Sequence, residues 1–162
     1  MVTLTKRKLK AGFKYVDCSY AKDFQVPESV EIGSNVALGW SCDSIGENCV
    51  IGPGVQLDTS LGSNVVIGEH TDIQKAEIGN NATVGSGSYI EASTEIKDGV
   101  TIGNNVLIGR NCHVRKGTVI PDNWMIPANC IVNPGVNGTP VVIVQPTFRC
   151  NVQGSIRTGN GY

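Results

Sequence analysis

The most constraining feature of this chain is an aliphatic residue that returns at every sixth position between Ile78 and Val132. The ten anchors of this repeat are Ile78, Val84, Ile90, Ile96, Ile102, Ile108, Val114, Ile120, Ile126 and Val132. A strict period of six matches neither the 3.6-residue period of a helix nor the alternation of a simple strand, and a fixed short period is typical of solenoids. We therefore expect this segment to form stacked coils of short strands.

The repeat extends towards the N terminus with less regular spacing. The anchors that precede Ile78 are Ile32, Leu38, Ile45, Ile51, Leu57, Leu61, Ile67 and Ile73. Three intervals deviate from six residues: seven from Leu38 to Ile45, four from Leu57 to Leu61 and five from Ile73 to Ile78. A strand cannot shift by one residue without turning its core side outward, so we place each deviation at a corner. Eighteen anchors at three per triangular coil predict an all-β fold of about six coils.

A second row of small or β-branched residues follows the anchors by four positions, as at Ala82, Thr94 and Cys112. We interpret it as a second inward-facing row. Gly often comes directly after an anchor, and a pair such as Asn-Asn, Ser-Asn or Glu-Asn commonly comes next. We interpret these as residues that tolerate the positive φ of a sharp corner. Four of the six cysteines also fall on small inward positions, where we expect buried, reduced thiols: Cys42, Cys49, Cys112 and Cys130.

The segments that flank the repeat lack its six-residue period, and the N-terminal one is rich in basic residues. Residues 1–27 form a basic N-terminal arm or cap, since six of the thirteen Lys and Arg lie in the first 22 residues with one acid, Asp17. Such an arm is solvated, caps the first coil, or binds nucleic acid or anionic lipid. We assign residues 28–136 to the coils and residues 137–162 to a C-terminal strand, near Val141–Val144, followed by a tail.

Membrane and secretory signals are not evident in the sequence. There is no run of about 18 apolar residues, and the basic start is not followed by the apolar stretch of a signal peptide. We therefore expect a soluble, cytoplasmic protein with no membrane partner.

Residues 32–136 repeat the pattern of an aliphatic residue, Gly, two variable residues, a small residue and one more variable residue. This pattern resembles the bacterial transferase hexapeptide repeat, which implies a left-handed parallel β-helix. Residues 100–123, VTIGNNVLIGRNCHVRKGTVIPDN, look most like the maltose and galactoside acetyltransferase group. That resemblance implies a trimer with acetyl-CoA, as a co-substrate rather than a bound cofactor, in clefts between neighbouring prisms.

The superfamily also contains γ-class carbonic anhydrases, which hold zinc with three histidines. This chain has two histidines, His70 and His113. We therefore expect no metal site of that kind.

Residues about 18 positions apart should stack about 4.8 Å apart on one face of the coils. One such column, Tyr89, Leu107 and Met125, is apolar throughout. Because exposed apolar ladders are costly, we expect it to pack against a neighbouring prism in a homotrimer. Val50, Val66 and Val119 on the next side are candidates for the same contact.

A second face carries the candidate site. Glu95 should stack below His113, where its carboxylate would orient the imidazole as a general base. His70, at a coil corner, is the other candidate base. The candidate ligands of an anionic acyl-CoA are Lys97, Arg110, Arg115 and Lys116. The alternative interpretation is a solvated corner histidine and a ladder of surface ion pairs, each worth about 0 to 1 kcal/mol.

Two functions are compatible with these features. One is an acyltransferase that uses acyl-CoA at clefts between the subunits of a trimer. The other is a non-catalytic β-helical trimer with a structural, assembly or ligand-binding role. The acetyltransferases that this chain resembles extrude a long loop near their histidine, whereas no anchor interval here exceeds seven residues, which favours the second function. A third possibility is nucleic-acid binding by the basic arm.

Overall fold

The computed structural model describes residues 2–4, 14–15 and 24–145. These residues form twenty short strands and one 3-10 turn, Val136–Gly138, and they contain no α-helix. In chain order the strands are β1 (Val2–Leu4), β2 (Lys14–Tyr15), β3 (Phe24–Val26), β4 (Glu31–Ile32), β5 (Ala37–Leu38), β6 (Val50–Ile51), β7 (Gln56–Asp58), β8 (Val66–Ile67), β9 (Asp72–Gln74), β10 (Glu77–Ile78), β11 (Thr83–Val84), β12 (Tyr89–Ile90), β13 (Glu95–Ile96), β14 (Thr101–Ile102), β15 (Leu107–Ile108), β16 (His113–Val114), β17 (Val119–Ile120), β18 (Met125–Ile126), β19 (Cys130–Asn133) and β20 (Val141–Val144).

Three sheets form the faces of a triangular prism. The first face contains, in order, β18, β15, β12, β9, β7, β5 and β2, and the second contains β17, β14, β11, β8, β6 and β4. The third contains β10, β13, β16, β19 and β20, and bridges from Ile78 to Leu61 and from Leu61 to Ile45 extend it. The pairs between successive coils are parallel. The chain is a left-handed parallel β-helix of six coils, which confirms the predicted fold.

The anchors fill the interior of the prism. All eighteen face inward, and every one except the half-buried Ile32 of the first coil is buried. The second row is buried as well, including Ala82, Thr94 and Cys112, except at the half-buried Trp124 of the last coil. Thr94 makes two hydrogen bonds inside the core: its hydroxyl donates to the Gly109 carbonyl at 2.9 Å and accepts the Cys112 N–H at 3.3 Å. The polar atom of this inward threonine is therefore satisfied by neighbouring coils.

All three irregular intervals lie at one corner of the prism. We name the corner that joins the first face to the third the variable corner. It spans seven residues from Leu38 to Ile45, four from Leu57 to Leu61, five from Ile73 to Ile78, and six in each of the three later coils. The other two corners keep six residues in every coil. Each coil therefore returns to the same inward register although its length differs from that of its neighbours.

The glycine that directly follows an anchor serves close packing, so its predicted role in supplying a positive φ is wrong. A Cβ added to Gly109 would lie 2.6 Å from the Ala128 backbone nitrogen of the next coil. Positive φ occurs two residues later, at residues such as Asn64 (59°) and Asn81 (58°). Glycine is thus required where stacked backbones approach each other, and asparagine bends the corner.

The flanking segments are described only in part. β1 pairs with β3 in an antiparallel manner, and β2 extends the first face by pairing with β5. β20 pairs antiparallel with β19, at the end of the third face. The basic cluster Lys6, Arg7, Lys8 and Lys10 lies outside the described residues, and so does the tail after Gln145. The possible nucleic-acid contact of the arm therefore stays a prediction.

Candidate functional site

The third face carries a column of outward side chains in which acids, a histidine and an isoleucine are neighbours. Parallel pairing aligns Glu77 with Glu95, Glu95 with His113 and His113 with Ile131. Each anchor faces inward, so the residue before it faces outward. The six-residue repeat thereby places Glu95 and His113 on adjacent strands of one exposed surface.

Glu95 is in contact with two partners. Its Oε1 lies 2.5 Å from Nζ of Lys97, and its Oε2 lies 3.4 Å from Nδ1 of His113. The hydrogen bond from Lys97, with the charge of that ammonium, lowers the pKa of the Glu95 carboxyl below its usual value. The same contact raises the pKa of Lys97. Glu95 is therefore a carboxylate at neutral pH, and it faces Nδ1 of a half-buried imidazole.

This geometry allows one chemical role for His113. A carboxylate beside Nδ1 favours the tautomer that carries its proton on Nδ1, which leaves Nε2 as the proton acceptor. Such a pairing of histidine and carboxylate is the arrangement that positions a general base.

The other predicted cations lie around this pair. Arg115 follows Val114, whose strand pairs with that of Ile96, so Arg115 and Lys97 are neighbours on adjacent coils. Lys116 is exposed at the corner that leads to the second face. Arg110 is exposed at the variable corner, where its backbone N–H donates to Oε2 of Glu91 at 2.9 Å. Lys97 and Arg115 thus belong to the third face with His113, whereas Arg110 and Lys116 lie at the two corners that border this face.

His70 is not part of this group. It lies at the corner between the second and first faces, the edge of the prism opposite the third face. Its φ is 54°, a conformation that other coils fill with Asn or Gly. Its ring packs against Gly54 of the preceding coil, where an added Cβ would lie 2.4 Å from Nδ1. His70 and His113 therefore lie on different parts of the prism surface.

The apolar column lies on the first face. Parallel pairing aligns Tyr89 with Leu107 and Leu107 with Met125. The exposed fraction rises along the column, from the half-buried Tyr89 to 38% for Leu107 and 73% for Met125. Tyr89 has a polar partner, since its hydroxyl accepts a hydrogen bond from Nε2 of Gln74 at 2.8 Å. Leu107 and Met125 are thus the part of the column that remains exposed.

Two clefts at the variable corner were missed by the sequence reasoning. One, of about 400 Å³, is lined by residues that include Trp40, Asp58 and Asp72. The other, of about 530 Å³, is lined by residues that include Ser60 and Glu77. Lys75 borders both. The available signal was the pair of short intervals, four and five residues, because a coil with a short corner leaves a recess between longer neighbours.

The described ranges contain neither a cluster of potential metal ligands nor a membrane-spanning helix. No group of three or more His, Cys, Asp or Glu side chains among residues 2–4, 14–15 and 24–145 is arranged to hold a metal ion. In the same ranges, no helix has the length and apolar character needed to span a bilayer.

Family models and relatives agree with the repeat. The model of the bacterial transferase hexapeptide (six repeats) matches residues 75–110, and that of the hexapeptide repeat of succinyl-transferase matches residues 44–69 and 99–134. The bifunctional protein GlmU of Prochlorococcus marinus (strain NATL2A) is 33% identical over 85 residues, which are 51% of this chain and 19% of that protein. GlmU of Synechococcus sp. (strain CC9311) is 32% identical over 91 residues, 54% of this chain and 20% of that protein. The chain thus spans about a fifth of the curated relatives it matches.

The solved structures that resemble this chain have lower sequence identity to it than the two GlmU proteins. PerB from Caulobacter crescentus, in complex with CoA and GDP-perosamine, is 19% identical with a TM-score of 0.36, over 72% of this chain and 53% of that one. The UDP-N-acetylglucosamine acyltransferase of Francisella novicida is 18% identical with a TM-score of 0.38, over 83% and 67%. The repeat in the sequence, the six coils and the two matching family models lead to one conclusion: the chain belongs to the bacterial transferase hexapeptide-repeat superfamily.

Proposed function

We propose that this chain is an acyltransferase that moves an acetyl or other acyl group from acyl-CoA to a hydroxyl or amine acceptor. The observation that carries the proposal is the contact of Glu95 with Nδ1 of His113 on the exposed third face. The family models are named for transferases, one of them for succinyl-transferases, which supports group transfer as the reaction class.

The proposed reaction uses His113 as the base. Nε2 of His113 takes the proton of the acceptor O–H or N–H while the oxygen or nitrogen attacks the thioester carbonyl. The tetrahedral intermediate then collapses, the C–S bond breaks, and the thiolate of CoA leaves and takes the proton from Nε2 of the His113 imidazolium, which regenerates the base. Glu95 stabilises the imidazolium that forms at His113 between these two steps.

The cations around His113 are proposed to bind the phosphates of CoA. Lys97, Arg110, Arg115 and Lys116 are all exposed. Arg110, Arg115 and Lys116 form no ion pair with a described side chain, so their charges are available to an anionic ligand, whereas Lys97 also pairs with Glu95. CoA is a co-substrate in this proposal and leaves after each turnover.

A homotrimer is part of the same proposal. The exposed Leu107 and Met125 on the first face would be covered by a neighbouring prism, and the reaction would take place in the cleft between the two. We also propose a cytoplasmic location, because the buried free thiols of Cys112 and Cys130 are typical of a reducing compartment.

The second candidate is a non-catalytic trimer with a structural, assembly or ligand-binding role. One observation favours it: among the described coils the longest corner has an interval of only seven residues, from Leu38 to Ile45. No extended loop of those coils therefore covers the third face.

Titration calorimetry with acetyl-CoA, combined with detection of released thiol, separates the two candidates. The acyltransferase should bind acetyl-CoA and release thiol in the presence of a panel of hydroxyl and amine acceptors. His113→Ala should lower thiol release by about 100-fold or more and leave acetyl-CoA binding nearly unchanged. His70→Ala is the matched control and should alter neither. No binding heat at millimolar acetyl-CoA, or equal activity of His113→Ala and wild type, would contradict the proposal.

A further inference from the structure

The smaller of the two clefts at the variable corner, which we name the corner cleft, arises from unequal coil lengths. The first coil has a corner one residue longer than those of the last three coils, and the next two have corners shorter by two residues and one residue. The short corners leave a recess of about 400 Å³ beside Trp40 of the long corner. Small-molecule sites commonly have volumes of about 300 to 1,000 Å³, so the recess is large enough for a ligand.

Several side chains that line the corner cleft present hydrogen-bond acceptors. Oδ1 of Asp58 accepts the Ser41 N–H at 2.7 Å, and the second carboxylate oxygen is available to a ligand. Gln74 donates through Nε2 to Tyr89, and its amide oxygen is available to a ligand as well. Asp72 is half-buried and forms no ion pair or hydrogen bond with any other described side chain. The cleft thus offers several oxygens to a ligand that is rich in N–H donors.

The lining of the corner cleft includes two carboxylates, Asp58 and Asp72, and one cation, Lys75. Lys75, at its edge, is exposed and forms no ion pair with Asp58 or Asp72, since the ion pairs among the described side chains all involve Glu95. Partial burial raises the pKa of the Asp72 carboxyl, because water is removed from this group without a compensating charge. A bound cation would supply that charge.

Apolar groups form the remaining wall. Trp40, Leu57 and Ala92 line the cleft together with the acids. An apolar wall next to carboxylates suits an organic cation, whose body is desolvated against the wall while its charge meets an oxygen.

We propose that the corner cleft binds a small primary amine, with its ammonium group facing Asp58 and Asp72 and its apolar body against Trp40, Leu57 and Ala92. The site is separate from the Glu95–His113 pair and does not depend on the transfer reaction. Its charge disfavours CoA, whose phosphates would meet two carboxylates at this edge of the prism.

Titration calorimetry of the full chain with three probes tests the proposal. Tryptamine carries an aromatic body and a primary amine, indole-3-propionate carries the same body with a carboxylate, and glucose carries neutral hydroxyls. Tryptamine should bind in a one-to-one ratio per chain, whereas the other two should produce no binding heat. If glucose binds and tryptamine does not, or if tryptamine and indole-3-propionate bind equally well, the proposal is wrong.

Three variants locate the site. Asp72→Asn should weaken tryptamine binding by about tenfold or more, because it removes a charged acceptor from a partly desolvated site. Ala92→Leu should block binding by filling the cleft without a change in charge. Glu47→Gln, at an exposed corner of the first coil, removes the same charge elsewhere and should bind like wild type. If Glu47→Gln loses as much affinity as Asp72→Asn, or if Ala92→Leu still binds while its thermal unfolding matches wild type, the proposal is wrong.

Discussion

Glu95 Oε2 lies 3.4 Å from His113 Nδ1, across the parallel pair formed by β13 and β16. If this contact orients the imidazole for acyl transfer, Glu95→Gln should lower the turnover rate by at least about tenfold and leave the KM for acyl-CoA nearly unchanged. Glu77→Gln is the control, since Glu77 belongs to the same column but does not contact His113. Steady-state kinetics of thiol release would check this, and an equal loss in both variants would contradict an orienting role.

The ion pair of Glu95 and Lys97 gives stability a definite pH dependence. Lys97 lowers the pKa of Glu95, so this contribution is present at neutral pH and is lost as the pH falls through the lowered value. Glu95 raises the pKa of Lys97, so the contribution is also lost as the pH rises through that raised value. In urea unfolding at low salt, the difference in free energy of unfolding between wild type and Lys97→Met should be largest near neutral pH. It should decrease at both lower and higher pH.

The matched control for this experiment is Lys116→Met. Lys116 is exposed on the next coil and forms no ion pair with a described side chain. The difference in free energy of unfolding between Lys116→Met and wild type should not show this dependence on pH. A difference for Lys97→Met that stays constant over the whole pH range would contradict the assignment, and added salt should reduce it because exposed charges are screened.

Leu107→Asp should give a smaller species than wild type in light scattering. The substitution places a charge in the middle of the exposed apolar column, between Tyr89 and Met125, where the proposed trimer contact would bury it. Asn104→Asp places the same charge at an exposed corner, outside both apolar columns, and serves as the comparison. If Leu107→Asp leaves the oligomer unchanged, this column is not in the interface.

Thr94→Val should destabilise the fold by about 1 to 3 kcal/mol although the two side chains have nearly the same shape. The change leaves the Gly109 carbonyl and the Cys112 N–H without the hydroxyl that now pairs with both. Thr101→Val, on the outside of the prism, should change the free energy of unfolding little. Chemical denaturation measures both, and equal effects would show that the inner hydroxyl has no special contribution.

The cysteines of the core should resist alkylation in the native protein. Burial, with the charges of Asp43 and Asp58 nearby, raises the pKa of the Cys42 thiol to about 12, and burial also raises the pKa values of Cys49, Cys112 and Cys130. Since the thiolate is the reactive form, iodoacetamide at pH 8 should not label these four residues until urea is added. The experiment uses a variant with Cys18 and Cys150 replaced by Ala, and mass spectrometry counts the labels. Rapid labelling of the native protein would contradict this burial.

The sequence predicted the fold well because each part of the prediction depended on one local repeat. A residue such as Ile102 is apolar, six positions from its neighbours, and about 18 from the residues that stack above and below it, so its inward direction follows from its position in the chain. The alignment of Glu95 with His113 follows from the same arithmetic. The structure adds the atoms that meet, in this case Oε2 and Nδ1.

The corner cleft could not be predicted in this way, because it depends on differences between coils. Trp40, Asp58 and Asp72 belong to three successive coils of unequal length, and their common wall exists only after those coils have stacked. The role of Gly109 could not be predicted for a similar reason. A side chain at this position would collide with the backbone of Ala128, which is distant in the sequence and adjacent in space.

Because changes in length are confined to the variable corner, the length of a coil can vary while its anchors keep facing the interior. Between Leu57 and Leu61 or between Ile73 and Ile78, the chain has fewer residues than in later coils, yet each following anchor still faces the interior. A residue gained or lost at this edge therefore alters the local surface and leaves the inner rows in register, while the other two edges keep six residues in every coil. This edge is where a peptide could be inserted, or a new recess formed by deletion, while the sequence of the interior is left untouched.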